Sequence, residues 1–424
     1  MAILTPPDID TLHAVYPQLY GSDYDATKMD ERFHNLLDGF IRIFGKTERP
    51  ALFSTPGRTE LAGNHTDHNM GKVIAASINL DTIAAVIPTD DNTVQLISEG
   101  FRPVSVNLSD LAPKEEEKES STALVRGIAR SFSDEGIALR GWKAYTTSTV
   151  LKGSGLSSSA AIEILCATIF NHYSNNDAWS PIKLAQIGKY AENVYFNKPS
   201  GLMDQAACAH GGIIGMDFAN PANVLVTPVS FDFFQAGYVL TIVDTGGNHA
   251  DLTSDYASIP PEMGMISAFF NKKYLREVPQ EEFYAALPAL HKSVKNDRSL
   301  LRAIHFFDEN NRVAAMLNAL QNNDMTTYLS LTNEACHSAF EYLQNLYSPH
   351  NPLEQGLGLA LALSRRILNG CGACRNHGGG FAGTILAYVP VDLFPHYKKE
   401  MELVFGKNSV TALAIRHRKS SRIL

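Results

Sequence analysis

Residues 151–161 read Leu-Lys-Gly-Ser-Gly-Leu-Ser-Ser-Ser-Ala-Ala and restrict the fold more than any other stretch. Two glycines two apart let a backbone turn tightly and approach a ligand closely. The serines after them can cap a helix, and Ile162, Ile164, Leu165, Ala167 and Ile169 can bury it. A strand over 142–150 is expected to feed this loop. A helix N-terminus with free N–H groups, a partial positive charge and hydroxyls is a ready anion site, and the natural anion is a nucleotide phosphate. A plain glycine–serine turn ahead of a core helix uses the same residues, so the loop alone decides nothing.

The chain has 424 residues, too many for one ordinary core. Two domains are expected, 1–218 and 219–424, divided near the Asn220-Pro221 turn. A net charge of −8 with no long basic run argues against nucleic acid or an anionic membrane surface as the main partner. No stretch of about 18 apolar residues suggests a membrane span. The first residues lack the basic-then-apolar pattern of a secretory signal. Five scattered cysteines fit a reduced, cytoplasmic protein, expected as a monomer. Cys371 and Cys374 form a lone Cys-x-x-Cys, without the second pair that zinc would want.

Helical spacing is expected over 32–44, 124–132, 182–196 and 357–368, with mainly helical sequence over 261–347. Strands are expected over 51–54, 73–86, 93–106, 213–218, 238–244 and 384–389. Between the first two strands lies the densest polar cluster in the chain: Arg58, Glu60, Asn64, His65, Asp67 and His68, punctuated by Gly57, Gly63 and Gly71. A loop there would gather ligand groups between buried strands. The charged run 113–121 reads as a solvated loop. Residues 376–383 form a second glycine-rich loop.

Phosphoryl transfer needs phosphate donors, a divalent metal, a positioned hydroxyl and a group that handles its proton. Each has a candidate here. Backbone N–H groups come from residues 153–159. Metal oxygens come from a serine hydroxyl and Glu192, since magnesium takes few protein oxygens. Asp204 is a candidate base, and Arg58 is a permanent cation that can stabilise phosphoryl charge. No Gly-x-x-x-x-Gly-Lys-[Ser/Thr], no protein-kinase element set, no His-Glu-x-x-His and no Gly-x-Ser-x-Gly occurs. Spacing alone does not assemble these parts.

These residues resemble the GHMP small-molecule kinases, and within them the galactokinase family. Thr55-Pro56-Gly57-Arg58-Thr59-Glu60-Leu61-Ala62-Gly63-Asn64-His65-Thr66-Asp67-His68-Asn69-Met70-Gly71 is similar to the galactokinase signature. Residues 153–160 resemble the family's phosphate loop, 201–205 the stretch bearing its catalytic aspartate, and 375–383 its third, glycine-rich block. The resemblance implies an α+β, two-domain GHMP kinase fold, with an N-terminal domain like ribosomal protein S5 domain 2 and a ferredoxin-like C-terminal domain. It implies transfer of the ATP γ-phosphate to the anomeric hydroxyl of a sugar, with Mg2+.

By position, Asp204 would be the base and Arg58 its charge partner. Gly153, Ser154, Gly155, Leu156, Ser157, Ser158 and Ser159 would wrap the nucleotide phosphates. Ser159 and Glu192 would hold the metal. Asn64, His65, Thr66, Asp67 and Tyr256 would meet the sugar.

The sequence departs from the family at several points. Asn64 stands where a glutamate is usual, and a carboxamide would tolerate a C6 carboxylate that a glutamate repels. His68 replaces a tyrosine. Asn376, His377 and Ala382 differ in the third block, and Ala257 to Pro261 lack an arginine usual there. The expected activity is therefore galactose 1-kinase, with galacturonate 1-kinase or a catalytically silent sugar-and-ATP-binding regulator as alternatives.

Overall fold

Residues 72–89 are mostly apolar, with runs at 73–76 and 83–88 that do not alternate, which suits a strand covered on both faces. The structure, a computed structural model, describes residues 4–21, 23–46, 49–150, 155–198, 200–247 and 253–424. Gly153 and Ser154 of the phosphate loop thus lie outside the described residues.

A first sheet takes β1 (Ala51–Ala62), β2 (Lys72–Thr89), β3 (Thr93–Ser98), β4 (Val104–Asn107), β5 (Gly141–Ser148), β6 (Ile213–Asp217) and β7 (Leu225–Val229). A second takes β8 (Tyr238–Asp244), β9 (Ala373–Asn376), β10 (Thr384–Pro390) and β11 (Val410–Leu413), while β12 (Ser421–Arg422) returns to the first. The orders are β12-β1-β2-β5-β3-β4 and β11-β8-β10-β9, with β6 and β7 continuing from β2. The first sheet therefore runs on to Val229, past the division expected at residue 218.

Helices α1 (Pro6–Tyr20) and α2 (Ala26–Phe44) bury Leu12, Leu36 and Phe40 against one face of the first sheet. On the other face lie α3 (Ser121–Asp134), α4 (Ser158–Asn175), α5 (Pro181–Tyr190) and α6 (Met203–His210). A helical layer of α7 (Thr253–Phe269), α8 (Gln280–Val294) and α9 (Asp297–Gln321) packs around Phe283, Phe306 and Phe307. Helices α10 (Met325–Ser338), α11 (Gly356–Leu368) and α12 (Phe394–Phe405) border the second sheet. Mixed sheets and helical layers give the α+β class expected.

One element differs from its expectation in a way that matters for the site. The strand expected to stop at residue 54 continues to Ala62, so Arg58 and Glu60 sit on β1 and not on a loop. The pairing with β2 slips between Pro56 and Arg58 and between Glu60 and Ala62, which re-aims the side chains without ending the strand. These polar residues stay on a buried strand because they face each other and a cleft, not solvent.

Residues 414–424 close the first sheet. Arg416, fully buried, donates to Ser54 Oγ (2.7 Å) and Asp81 Oδ2 (3.3 Å). Burial pushes its guanidinium down to about 10 against the pull of Asp81. Ser420 Oγ lies 2.6 Å from both Thr55 Oγ1 and Thr168 Oγ1, tying β1 to α4.

Candidate active site

Asp204 opens α6, and its two oxygens are held from separate parts of the chain. Arg58 Nε donates to Oδ1 (2.8 Å), and Ser157 Oγ donates to Oδ2 (2.5 Å). Arg58 Nη1 also donates to the Gly155 carbonyl. The strand, the serine loop and the aspartate thus meet at one point. Burial would raise the Asp204 carboxyl, but Arg58 and the Ser157 hydroxyl outweigh it and hold the group below its usual range. It is therefore a carboxylate at neutral pH, and loses its charge only in acid.

The serines of the loop are candidates to cap α4, Ser157 among them. It does occupy the N-cap position, in the left-handed region at φ +59°, but its hydroxyl goes to Asp204 and caps nothing. The first N–H groups of α4 are left without a side-chain cap, which suits an anion. Gly57 makes the close approach possible, because a Cβ there would stand 2.9 Å from the Leu156 carbonyl.

Glu192 lies beyond α5 in a widened turn, Ala191–Phe196, and is buried. Lys198 Nζ donates to its Oε1 (2.7 Å) and Gln205 Nε2 to its Oε2 (2.8 Å). Gln205 also donates to Glu163 Oε2 (3.1 Å), a carboxyl raised by burial and by the charge of Glu192. Ser159 is exposed on the first turn of α4. Lys198 was missed by sequence reasoning. Its only signal was the break in helical pattern just after it.

A cleft is lined by Arg58, Asp204, Glu192 and Lys198 and by His65, Asp67 and Tyr256. His65 Nε2–H donates to the Gly379 carbonyl (2.9 Å). Its ring lies 5.1 Å from that of Tyr256, whose hydroxyl is 3.3 Å from His68 Nε2. Asp67 keeps both oxygens free of hydrogen bonds from the described residues, and Gly201 presses against it.

Two residues expected to meet the sugar bond to protein, Thr66 away from the cleft and Asn64 in its lining. The Thr66 hydroxyl is fully buried and donates to Lys72 O (2.6 Å), so it holds the turn and does not reach the cleft. Asn64 spends its whole hydrogen-bonding capacity on protein. Its Nδ2 donates to Glu60 Oε1 (3.0 Å) and Gly378 O (2.6 Å). Its Oδ1 accepts from Asn345 Nδ2 (2.7 Å) and Asn376 Nδ2 (3.0 Å). A glutamate at this position would set a second carboxylate against Glu60.

The turn is fixed from α9, which the sequence reading did not connect to it. Glu309 Oε1 accepts from Gly63 N–H (3.0 Å), and His305 Nε2–H donates to Asn64 O (3.0 Å). His377 Nε2 accepts from Glu60 N–H (3.2 Å). Burial, then the charge of His68, pushes His65 down to about 3. Burial also lowers His305, and burial with Arg58 and Arg375 lowers His377 far below its usual value.

A histidine held neutral takes its proton only on unfolding. Stability from these side chains is complete above about pH 6.5 and falls as the pH drops below it. His305→Gln should therefore flatten the dependence of unfolding free energy by about 1 kcal/mol per pH unit between about pH 6 and 5, as read by urea titration. Glu60 and Glu163, both raised mainly by burial, slope the other way, but equally in wild type and variant.

A profile described as "Galactokinase galactose-binding signature" matches residues 38–88, and "GHMP kinases N terminal domain" matches 123–212. A galactokinase of Clostridium tetani is 31% identical over 87% of this chain and 91% of its own length. The chain belongs to the galactokinase family. A Streptomyces coelicolor galactokinase is 29% identical over 88% of the chain and 93% of that protein. Solved galactokinase-family and GHMP folds superpose as well. Lactococcus lactis galactokinase complexed with galactose has a TM-score of 0.79 at 24% identity, covering 92% of this chain and all of that one. Methanococcus jannaschii mevalonate kinase gives 0.61 at 14% identity over 87% of the chain and 99% of its own. The fold is the two-domain α+β GHMP kinase fold.

Cys371 is exposed and Cys374 buried, with its Sγ 3.9 Å from Leu361 O. Among the described residues no group of three or more His, Cys, Asp or Glu is placed to hold a metal, and no helix is long and apolar enough to cross a membrane.

Proposed function

We propose that this galactokinase-family chain is an ATP-dependent sugar 1-kinase acting on galactose. The observation that carries the reading is the Asp204 carboxylate, gripped by Arg58 and Ser157 at the junction of the serine loop and the cleft. Asp204 orients the anomeric hydroxyl and accepts its proton. A base with a lowered pKa suits a loose transition state, in which the hydroxyl loses its proton late. Arg58 keeps Asp204 charged and faces the phosphoryl group. The serine loop and the uncapped start of α4 hold the nucleotide phosphates.

Glu192 and Ser159 offer the hard oxygens that magnesium takes, with Lys198 held beside Glu192 at 2.7 Å. Bound there, the metal would neutralise charge on the phosphates. The Asp67 carboxylate, His65 and the Tyr256 hydroxyl receive and orient the sugar hydroxyls. His65, neutral with Nε2–H given to Gly379, has Nδ1 left as an acceptor.

Arg58 and Lys198, the permanent cations lining the cleft, already face Asp204 and Glu192 (2.8 and 2.7 Å), so neither is spare for a C6 carboxylate. This favours galactose over galacturonate. The intact Asp204–Arg58–Ser157 arrangement favours an enzyme over a silent sensor. We further read the chain as a monomer of a reducing, cytoplasmic setting, given its five free cysteines.

ADP release with ATP, magnesium and a panel of galactose, galacturonate, glucose and galactosamine tests this reading. Galactose should be turned over fastest. Faster turnover of galacturonate, or no turnover of any sugar, would overturn it. A finer test uses Gly201, where a Cβ would stand 1.7 Å from Asp67 Oδ2. The carboxylate can swing aside, so Gly201→Ala should fold and still raise the sugar KM by about tenfold or more, with the ATP KM unchanged.

A further inference from the structure

Asn345 follows the turn Ala339–Leu343 and is fully buried. Nothing in its sequence neighbourhood marks it. Yet three bonds tie it to the glycine-rich loop and to the signature turn. Its Nδ2 donates to Asn64 Oδ1 (2.7 Å) and to Gly379 O (3.1 Å). Its own carbonyl accepts from Phe381 N–H (2.5 Å). The residue thus grips the loop on both sides of Gly380. The fit is close: at φ +80°, a Cβ on Gly380 would stand 2.2 Å from Asn345 O.

What the loop then does faces the cleft. Gly379 O accepts a second bond, from His65, and a Cβ on Gly379 would meet the Tyr256 ring at 2.7 Å. Gly378 O accepts from Asn64, and both glycines line the cleft. The Asn345 Oδ1 is buried with no partner among the described residues. An unpaired buried acceptor is a cost. The amide is therefore useful here for its two donors.

We propose that Asn345 is a positioning residue for the acceptor sugar: by holding Gly378–Gly380 against Asn64 it sets where His65 and Tyr256 stand, without touching the substrate. This rests on the reading of the cleft as the sugar site. Asn345→Asp keeps the shape but turns an acceptor toward two acceptors, Asn64 Oδ1 and Gly379 O. Asn345→Ser keeps one hydroxyl donor.

The test is steady-state kinetics on the full chain with galactose and ATP, beside thermal unfolding. The sugar KM should rise by about tenfold or more in Asn345→Asp and less in Asn345→Ser, with the ATP KM within about twofold of wild type. A merely structural role would lower the active fraction and the unfolding midpoint and leave the sugar KM alone. An unchanged sugar KM in a folded variant overturns the proposal, as do sugar and ATP KM values rising together. If Asn345→Asp does not fold, Asn345→Ser decides; failure of both to fold assigns the residue to the core and also overturns it. Wild-type protein that binds no hexose would instead sink the sugar-site reading.

Discussion

Asp204→Asn should lower ADP release by about a thousandfold while sugar and nucleotide still bind, because a positioned acid–base group typically contributes 10²–10⁴-fold. Asparagine keeps the size and still accepts from Arg58 Nε at the oxygen now 2.8 Å away. It loses the charge and the ability to take a proton. The lowered carboxyl pKa adds a second expectation. Wild-type activity should not titrate with this group near neutral pH, and its loss should come only in acid, as the carboxylate is protonated. A variant retaining more than about a tenth of wild-type ADP release would remove Asp204 from the chemistry, since that is far less than a general base contributes. Binding measured by calorimetry separates this outcome from loss of the folded site.

The largest expected loss of stability comes from Arg375→Leu. Arg375 is 1% exposed and Glu60 3%. Nη2 meets Glu60 Oε1 at 2.7 Å, Nη1 donates to Leu61 O (3.0 Å) and Nε to Asn376 O (3.1 Å). Replacing both members by apolar groups could cost little, but removing one leaves the buried Glu60 with Asn64 as its side-chain donor and only the more distant charge of Arg58, and takes a donor from each of two carbonyls. Breaking a buried pair in this way costs about 3–5 kcal/mol. Urea unfolding measures it, and a loss below about 1 kcal/mol would show that solvent reaches Glu60. Lys118→Ala is the control: its partner Glu115 is 83% exposed, and the pair should be almost silent.

The parts of the site legible beforehand share a property: each is short-range. Glycines flank Arg58, Asp204 and the serine loop, so local backbone demands announce them. Residues acting across the fold had no such signal. Glu309 and His305 lie on one helix and reach backbone atoms of Gly63 and Asn64. Nothing in α9 distinguishes them from an ordinary buried polar stripe. Ser157 shows a local rule losing to a distant partner, since its hydroxyl serves Asp204 and not its own helix. Arg58 and Glu60 misled because polarity was taken to mean a loop. A strand whose polar side faces a closed cleft has the same composition. Asn64 shows a related limit: sequence weighs its amide only against a ligand, whereas in the fold it lines the cleft with four protein groups already around it.

The return of residues 414–424 to the first sheet carries a consequence for biosynthesis. Ser420 bridges to Thr55 across 365 positions, and Arg416 fills a buried hollow beside Asp81. While a ribosome is still making the second half, β1 keeps an open edge and Asp81 lacks one of its cations. The earlier-made half must wait, sticky and incomplete, for residues 414–424 to emerge. Chaperone demand in the cell should therefore track the time of translation and not the stability of the finished molecule.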